Sequence, residues 1–320
     1  MILKPVKDKE RFFELAEPFT GVFGSKKWLS VYGDALNLIG IYKDEHQLLG
    51  GFFYLEVKKY RFSFIKLPPS TPHCGLFFIS ENKNKSAANS FSKEIMSEVC
   101  NYFGTLKPAL LVLAFPSYIV DLQPFIWNKY KVVPNYTYRI DLNKTLEDIV
   151  ANFDSKNRNA INKAVKEGVV VESDRLSKQQ LLDFFSKSLS VAGANVYGGE
   201  LRGIFMKFAD HTNSFSLEAR RNDELLGVVF CIYDTTTCYY LLGGINKDAG
   251  VQGINNLLVQ KGMERAKSLG CTTFDFEGSM LRGVEKFFRS FGPELVPYYT
   301  VNKAKLPIEM LLKFKKRELF

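Results

Sequence analysis

The sequence is poor in the residues that build metal centres and disulfide frameworks. Its 320 residues include three histidines and five cysteines, and no two cysteines stand in a C-x-x-C spacing. The cysteines are scattered through mostly apolar stretches, which is typical of reduced thiols in a reducing compartment. His73 and Cys74 are adjacent, but no second pair of ligands accompanies them. No metal site and no tightly bound cofactor are therefore predicted.

Long apolar runs and familiar catalytic motifs are missing as well. No segment approaches the roughly 20 apolar residues that cross a membrane, and residues 1–19 lack the pattern of a secretory signal, so a cytoplasmic location is expected. No G-x-S-x-G motif is present and no cysteine has a clear histidine partner, which argues against a covalent nucleophile. Because an RNP-type motif is also absent, an RNA-binding protein is the weakest interpretation.

Positive charge and phenylalanine are what the sequence has in excess. The net charge is +9, and 28 residues are Phe. A basic surface favours anionic partners such as phosphates, nucleotides, RNA or membrane surfaces. The charge alone does not select among them, and many basic proteins bind nothing through it. The length suits about two domains.

The two halves of the chain repeat the same order of elements. A strand, a polar turn with Asp-Glu, the triplet Leu-Leu-Gly and a second strand occur at residues 36–57 and again at 215–234, which is the pattern of a β-hairpin. A third strand, a helix, a buried strand, a short helix and a last strand containing Val-Pro follow in both halves. The main helices are predicted near 86–103 and 254–269, and the last strands near 131–140 and 294–303.

This repeat predicts an α/β (α+β) fold with a mixed sheet in each of two tandem domains. The predicted domains are residues 1–141 and 142–305, and a basic amphipathic helix follows over 306–320. Further helices are expected at about 145–167, 178–190 and 200–211. The helix over 306–320 could contact a membrane or RNA, although docking on its own protein is the commoner role of such a helix.

This order of hairpin, strand, helix and strand resembles the plan of GNAT N-acyltransferases. Two such domains in tandem resemble the Fem family of peptidoglycan bridge-forming aminoacyltransferases, and three segments of the second half carry the likeness. The segments are a basic helix and strand at 155–172, a small loop, helix and Phe-Asp-Phe strand at 250–278, and an aromatic and basic run before Phe-Gly at 284–292. Residues 66–75 resemble a proline-rich loop at the substrate end of this family. The resemblance implies an enzyme that transfers an acyl or aminoacyl group to an amine of a small molecule or a cell-wall precursor.

The resemblance leaves two donors open, acyl-CoA and aminoacyl-tRNA. Residues 246–253 keep two glycines of the GNAT acyl-CoA loop without its arrangement, and the long helical arm of some Fem proteins, a candidate tRNA contact, is not evident. The expected partners are an anionic donor, with tRNA among the candidates, and a lipid-linked or nucleotide-linked precursor, together with peripheral membrane contact. The competing interpretation is a catalytically degenerate module that binds an anionic ligand.

Asp275 and Glu277 are the candidate catalytic carboxylates. They alternate with Phe274 and Phe276 at the end of a buried strand, so they project to the same side. A carboxylate whose pKa is raised by burial could remove a proton from the acceptor amine. Asp275 could instead pair with a cation of the next helix or cap that helix. Tyr298, on the last strand, could donate to the oxyanion or the leaving group, or pack in the core.

The candidate donor-binding segment is a loop that enters a helix, namely Gly250, Val251, Gln252, Gly253 and Ile254. Backbone amides at a helix N-terminus favour a phosphate or a carbonyl oxygen, and glycine lets the chain approach a ligand closely. The alternative is an ordinary strand-to-helix turn. Because the corresponding residues 79–90 of the first half lack these glycines, only the second domain is expected to need a site.

Two basic helices and one histidine are the candidate acceptor-binding or phosphate-binding residues. Arg282, Lys286 and Arg289 are spaced by four and three residues, which places them on one helical face suited to phosphate or carboxylate. His73 lies beside the proline-rich loop. Each of these residues could equally belong to a solvated surface. The other basic helix carries Lys156, Arg158, Lys163 and Lys166.

Overall fold

The computed structural model describes residues 1–80, 84–191, 198–246, 248, 250–278 and 280–315. Contacts between Cα atoms divide the chain into two compact units. Unit 1 contains Met1–Asn135 and Pro297–Phe320, and unit 2 contains Tyr136–Val296. The predicted ranges 1–141 and 142–305 follow the sequence repeat, whereas the compact units place residues 136–141 in unit 2 and residues 297–305 in unit 1.

The first part of the chain has the predicted elements, preceded by a strand and two helices that the repeat did not indicate. Two short 3-10 segments, Gly21–Gly24 and Ser30–Ala35, lie between the first helix and the first hairpin. In chain order the elements are β1 (Ile2–Pro5), α1 (Lys9–Thr20), α2 (Lys26–Leu29), β2 (Leu36–Tyr42), β3 (Leu48–Lys59), β4 (Phe62–Lys66), β5 (Phe77–Phe78), α3 (Lys85–Leu106), β6 (Leu110–Ala114), α4 (Gln123–Trp127) and β7 (Lys131–Asp141).

Among the described residues, the second part has four helices before its hairpin and one after its last strand. A π-helical turn, Ile204–Phe208, follows the helix that begins at Gly198. The predicted helix over 306–320 is observed to Lys315, and residues 316–320 lie outside the described residues. The elements are α5 (Leu146–Ala151), α6 (Ser155–Lys166), β8 (Val170–Ser173), α7 (Lys178–Val191), α8 (Gly198–Gly203), β9 (Ser214–Arg221), β10 (Glu224–Tyr233), β11 (Thr237–Ile245), α9 (Ile254–Ser268), β12 (Thr273–Asp275), α10 (Arg282–Arg289), β13 (Glu294–Ala304) and α11 (Leu306–Lys315).

Each unit builds a mixed sheet that contains one parallel pair of strands. In unit 1 the order is β1-β2-β3-β4-β6-β13, and β4 and β6 are parallel. In unit 2 the order is β8-β9-β10-β11-β12-β7, and β11 and β12 are parallel. The last strand of each sheet is antiparallel to its neighbour, at residues 300–304 in unit 1 and 139–141 in unit 2. The predicted α/β fold with a mixed sheet is confirmed.

The turns of the two hairpins follow from the residues at their tips. Asn222 and Asp223, between β9 and β10, both have positive φ angles, 51° and 64°. Two successive left-handed residues close a two-residue hairpin, and Asn and Asp tolerate this conformation better than other non-glycine residues. In the first hairpin the carboxylate of Asp44 accepts hydrogen bonds from the amides of His46 and Gln47, each 2.9 Å long.

The helical segment predicted at about 145–167 contains two helices, α5 and α6. Asp154 has extended backbone angles, φ −65° and ψ 159°, and its carboxylate accepts the amide hydrogen bond of Asn157 at 2.6 Å. A side chain that caps a helix in this way sets the start of α6. The break separates Ala151, the last residue of α5, from Ser155, the first residue of α6.

The longest helix described in each unit, α3 in unit 1 and α9 in unit 2, packs on the protein through an apolar face. Helix α9 follows β11 in the chain, so its first turn lies beyond the carboxyl end of that strand. In unit 1, α3 contributes the buried side chains Ile95, Met96, Val99, Cys100 and Phe103. The buried side chains of α9 are Ile254, Leu257, Leu258, Val259, Met263 and Ala266.

Candidate functional site

The two parallel strands of unit 2, β11 and β12, stop pairing at Asp275, next to the second candidate carboxylate, Glu277. β11 pairs with β12 at three positions, the last of which joins Tyr239 and Asp275. β12 ends there, while β11 continues to Ile245. The residues directly after β12 therefore lie where two parallel strands part, and such a position at the carboxyl ends of strands is a common place for ligands in α/β folds.

The side chain of Asp275 is buried, and hydrogen bonds from three other residues hold its carboxylate in place. Its side chain accepts hydrogen bonds from the Thr137 hydroxyl at 2.5 Å, from Arg139 Nε at 2.7 Å and from the Glu277 amide at 2.8 Å. Thr137 and Arg139 belong to β7, the neighbouring strand. Three hydrogen bonds to one carboxylate fix its position and orientation. The expected alternative partners on the next helix, Arg282 and Lys286, do not contact it.

Glu277 is in the opposite situation. Its Oε1 atom is buried and has no hydrogen-bond partner among the described residues. Its φ angle is 56°, a left-handed conformation that residues other than glycine adopt rarely. Burial, and secondly the charge of Asp275, raise the pKa of Glu277 well above its ordinary value. A strained carboxylate without a hydrogen-bond partner and with a raised pKa is suited to accept a proton from a ligand.

Gly253 fixes the start of α9. Its φ angle is 82°, and a Cβ atom at this position would stand 2.0 Å from the carbonyl oxygen of Ala160 in α6. Only glycine fits such a close approach in a left-handed conformation. Gly250 also has positive φ, 64°, but a Cβ atom there would meet no atom within 4 Å.

The first turn of α9 leaves its polar groups open. Gly253 supplies no side-chain cap, and the first helical hydrogen bond runs from the Leu257 amide to the Gly253 carbonyl at 2.9 Å. The amides before Leu257 consequently lack intrahelical partners, as at every helix start. In addition, Asn255 Oδ1 is buried without a partner among the described residues. Such a turn offers backbone donors and one side-chain amide to a ligand.

The other predicted residues of this segment have structural contacts. Ile254 is buried in the core, and Val251 packs against that core. Gln252 is exposed and accepts a hydrogen bond from Lys163 of α6 at 3.0 Å. Residues 247 and 249 of the loop, like residue 279 after Gly278, lie outside the described residues.

Comparison with known proteins relates this part of the chain to a family. Residues 151–289 match the family model described as an acetyltransferase (GNAT) domain. The chain contains a GNAT domain. Unit 2 encloses the matched residues, with Asp275, Glu277 and the start of α9 inside them. Comparison with curated protein sequences gives no significant match.

Solved structures resemble the whole chain, not the GNAT domain alone. A structure described as FemX is 14% identical, with a TM-score of 0.64 over 98% of this chain and 100% of the other. L-PGS from Bacillus licheniformis is 13% identical, with a TM-score of 0.56 over 96% of each chain. A tandem GNAT protein from the clavulanic acid biosynthesis pathway is 9% identical, with a TM-score of 0.54 over 94% of this chain and 98% of the other. The Fem-like tandem GNAT fold is therefore confirmed, and the match to the family model supports an acyltransferase.

The basic residues of the GNAT domain divide into exposed and engaged cations. Lys156, Arg282 and Lys286 are exposed and form no ion pair with a described residue. Arg289 donates from Nε to Glu285 at 2.7 Å on its own helix. Arg158 donates to the carbonyl oxygens of α5 and the following turn, at Ala151 and Phe153, so it closes the end of that helix.

His73 and Tyr298 lie in unit 1. The His73 Nδ1 atom accepts a hydrogen bond from the Gly75 amide at 3.2 Å, and its ring meets Phe23 edge-on. Tyr298 is half-buried on β13, in the part of that strand that belongs to unit 1. In the described residues no three side chains of His, Cys, Asp or Glu form a cluster that could hold a metal ion.

Sequence reasoning missed a buried amide that joins three helices of the GNAT domain. Asn157 of α6 donates to Ser290 Oγ after α10 and accepts from Asn256 Nδ2 of α9, both at 3.0 Å. Asn157 is 2% exposed. Asn is disfavoured inside helices, so the pair Asn255-Asn256 at the start of a predicted helix could have indicated buried polar contacts there.

Proposed function

We propose that the GNAT domain transfers an acyl or aminoacyl group to an amine, with Glu277 as the general base. The observation that carries the proposal is the buried, unpartnered Oε1 atom of a glutamate whose pKa is raised by burial. A buried carboxylate without a partner is costly unless a ligand supplies the missing proton donor. An acceptor amine is such a donor.

The reaction needs only positioning and a proton acceptor. The amine nitrogen attacks the activated carbonyl carbon, Glu277 takes the N–H proton, and the tetrahedral oxyanion then expels the thiol or hydroxyl of the donor, which takes up a proton. Positioning supplies roughly 7–11 kcal/mol at best, and a general base contributes about 10²–10⁴-fold. Asp275 holds the Glu277 backbone and keeps a negative charge beside it, so it acts as a positioning residue.

The start of α9 is the proposed binding site for the donor. Its free amides and helix dipole favour a phosphate, and Asn255 Oδ1 could accept an N–H of the donor. We place acyl-CoA first, because the family model that matches is an acetyltransferase. Aminoacyl-tRNA is the second candidate, favoured by the exposed cations Lys156, Arg282 and Lys286 and by the resemblance to Fem aminoacyltransferases.

The acceptor is proposed at the level of chemical class. The Fem resemblance favours an amine of a cell-wall precursor, lipid-linked or nucleotide-linked, in the cytoplasm. A small free amine is the simpler alternative. The raised pKa of Glu277 suits both kinds of acceptor, because a base whose pKa lies closer to that of the amine removes the amine proton more readily.

A thermal-shift titration separates the donors. Purified full-length protein is heated with coenzyme A, acetyl-CoA, aminoacylated tRNA or uncharged tRNA, with inorganic pyrophosphate as the control for charge alone. A ligand at 100 times its Kd adds about 2.7 kcal/mol to stability. A saturable shift with acetyl-CoA, followed by thiol release in the presence of an amine panel, supports acyl-CoA. A shift with aminoacylated tRNA only selects the second donor.

The titration and the transfer assay can each refute part of the proposal. If no donor shifts the unfolding temperature, the start of α9 is not a donor site. If a donor binds and Glu277→Gln transfers the group as fast as the wild type, Glu277 is not the general base. Binding of pyrophosphate and coenzyme A without any transfer would instead indicate the degenerate module that binds anions.

A further inference from the structure

The C-terminal helix α11 turns its apolar side chains to the solvent. Leu306, Met310 and Phe314 are 72%, 56% and 87% exposed, and Leu311 is 53% exposed. The first three recur at intervals of four residues and so form one stripe. Ile308 and Leu312 are half-buried instead, and no residue of the helix is fully buried. The helix therefore keeps an apolar face that the described part of unit 1 does not cover.

Lysines flank this apolar face. Lys305 precedes the helix, and Lys313 and Lys315 lie in its last turn. Lys313 pairs with Glu309 at 2.8 Å, whereas Lys305 and Lys315 are exposed and form no ion pair with a described residue. Two further basic residues, Lys316 and Arg317, follow in the sequence.

The sheet of unit 1 brings a second basic and aromatic segment to the same end. The Lys305 amide donates to the Ala109 carbonyl at 3.0 Å, and the Ala109 amide donates to the Ser63 carbonyl at 2.7 Å. Ser63 in turn pairs with Lys58 across the turn between β3 and β4. Neighbouring strands lie about 4.8 Å apart, so this turn stands three strands away from the start of α11.

The turn between β3 and β4 has the same chemistry as α11. Tyr60 is 93% exposed at its tip, with a positive φ of 53°. Lys58, Lys59 and Arg61 surround it and are exposed. We call the two segments together, residues 58–61 and 305–315, the basic apolar end of unit 1.

We propose that the basic apolar end of unit 1 binds the surface of an anionic phospholipid membrane. A helix with an outward apolar face and flanking lysines lies in the plane of the lipid interface, where its apolar side chains enter the acyl region. Lysine and arginine near the surface are attracted by anionic headgroups. The contact is peripheral, since no helix among the described residues is long and apolar enough to span a membrane.

Charge argues against the other occupants of this surface. A second copy of the chain in a two-fold contact would place the same lysines against each other, and like charges across an interface repel. RNA would be attracted by the lysines, but it offers no partner for a stripe of Leu, Met and Phe side chains.

Vesicle co-sedimentation of the full-length protein tests the proposal. We expect binding to vesicles of phosphatidylglycerol and phosphatidylcholine, and little binding to phosphatidylcholine alone. Phe314→Glu is expected to lower the partition coefficient more than tenfold, because it removes an inserted ring and adds a repelled charge. Lys58→Gln and Lys59→Gln are each expected to lower it about fivefold.

The matched control is Ile126→Glu, which makes the same change at another exposed helical position of unit 1, 55% exposed. It should leave vesicle binding unchanged, and both variants should melt like the wild type. The proposal is overturned if the wild type ignores anionic vesicles or if Ile126→Glu and Phe314→Glu lose binding equally. It is also overturned if Phe314→Glu abolishes self-association in sedimentation or tRNA binding while vesicle binding persists.

Discussion

The two units share a sheet plan but differ at the end of the strand that carries the proposed site in unit 2. Hydrogen bonds from Phe276 to Tyr138 and from Phe115 to Tyr299, both 2.9 Å, mark equivalent positions. Asp275 therefore corresponds to Ala114, and Glu277 corresponds to Pro116. Unit 1 has an apolar strand end where unit 2 has two carboxylates.

The two units also differ at the start of the helix that follows the third strand, which is α3 in unit 1 and α9 in unit 2. In unit 1 the side chain of Asn84 caps α3 and accepts the amides of Ser86 and Ala87 at 2.8 and 3.3 Å. In unit 2 Gly253 caps α9 with its backbone alone. One helix start is satisfied by its own side chain, and the other is open to a ligand. The comparison teaches that the same fold can differ at these two positions, and this difference supports the proposal that the chemistry belongs to the GNAT domain.

The largest effect is expected at the carboxylate that unit 1 lacks. Glu277→Gln keeps the shape of the side chain and removes the proton acceptor. We expect kcat/KM to fall by about 10²–10⁴-fold, measured with the donor and amine found by titration. In the wild type kcat/KM should rise with pH through the raised pKa of Glu277, and this limb should vanish in the variant. An unchanged pH profile would contradict the role of Glu277.

The start of α9 provides the next contrast. Gly253→Ala forces a Cβ atom toward the Ala160 carbonyl and an L-residue into positive φ, so we expect a loss of about 3 kcal/mol of stability and weaker donor binding. Gly250→Ala, also at positive φ but in open space, should cost about 1 kcal/mol. Chemical denaturation measures both variants, and equal losses would show that the contact with Ala160 does not fix the helix start.

Asp275 is expected to act through position and charge. Asp275→Asn should cost about 2 kcal/mol, a figure reduced because the Arg139 partner is 37% exposed. It should also move the rising limb of the pH profile to lower pH, because the charge of Asp275 raises the pKa of Glu277. The control is Glu285→Gln, whose carboxylate lies nearer the surface than that of Asp275 and accepts from Arg289 and from the Tyr138 hydroxyl, both at 2.7 Å. That variant should lose less stability than Asp275→Asn and leave the rising limb of the pH profile in place.

The raised pKa of Glu277 should also make the free energy of unfolding depend on pH. The pKa is raised in the folded state, so the folded protein holds this proton above the ordinary glutamate range, and stability falls as the pH rises through that interval. Glu277→Gln should therefore be more stable than the wild type by about 1–2 kcal/mol at pH 8, with the difference fading toward pH 4. Glu218→Gln is the contrast, because that buried carboxylate is hydrogen-bonded by Ser216 at 2.6 Å and should lose stability when replaced.

The smallest effect is expected in unit 1. Asn84→Ala removes a helix cap and should cost about 1 kcal/mol of stability. It should leave donor binding and transfer unchanged, because unit 1 has no carboxylate at the strand end. A loss of donor affinity in this variant would break the comparison between the two units.

The repeat of hairpin, strand, helix and strand could be predicted because each element is marked by local pattern. Leu225-Leu226-Gly227 and the apolar face of α9 are examples of such patterns. The partner of Asp275 could not be predicted in this way, since Arg139 is 136 residues distant in sequence and reaches it through strand pairing. The sequence pointed instead to nearby cations on the next helix.

Other features depend on tertiary structure alone. The positive φ and the unpartnered oxygen of Glu277 arise from the path of the chain after β12, which no residue pattern encodes. The apolar stripe of α11 was visible in the sequence, but docking on the protein was expected. The structure turns it outward because Ile308 and Leu312, on the other side of the helix, face the protein.

Amide hydrogen exchange of the full-length protein, with and without a saturating amount of whichever donor stabilises it, tests the central claim most directly. The account predicts new protection at residues 250–257 and 274–278 of the GNAT domain, and unchanged exchange at residues 84–90 of unit 1. Protection at 84–90, or saturable binding that leaves 250–257 unprotected, would contradict the assignment of the site to unit 2.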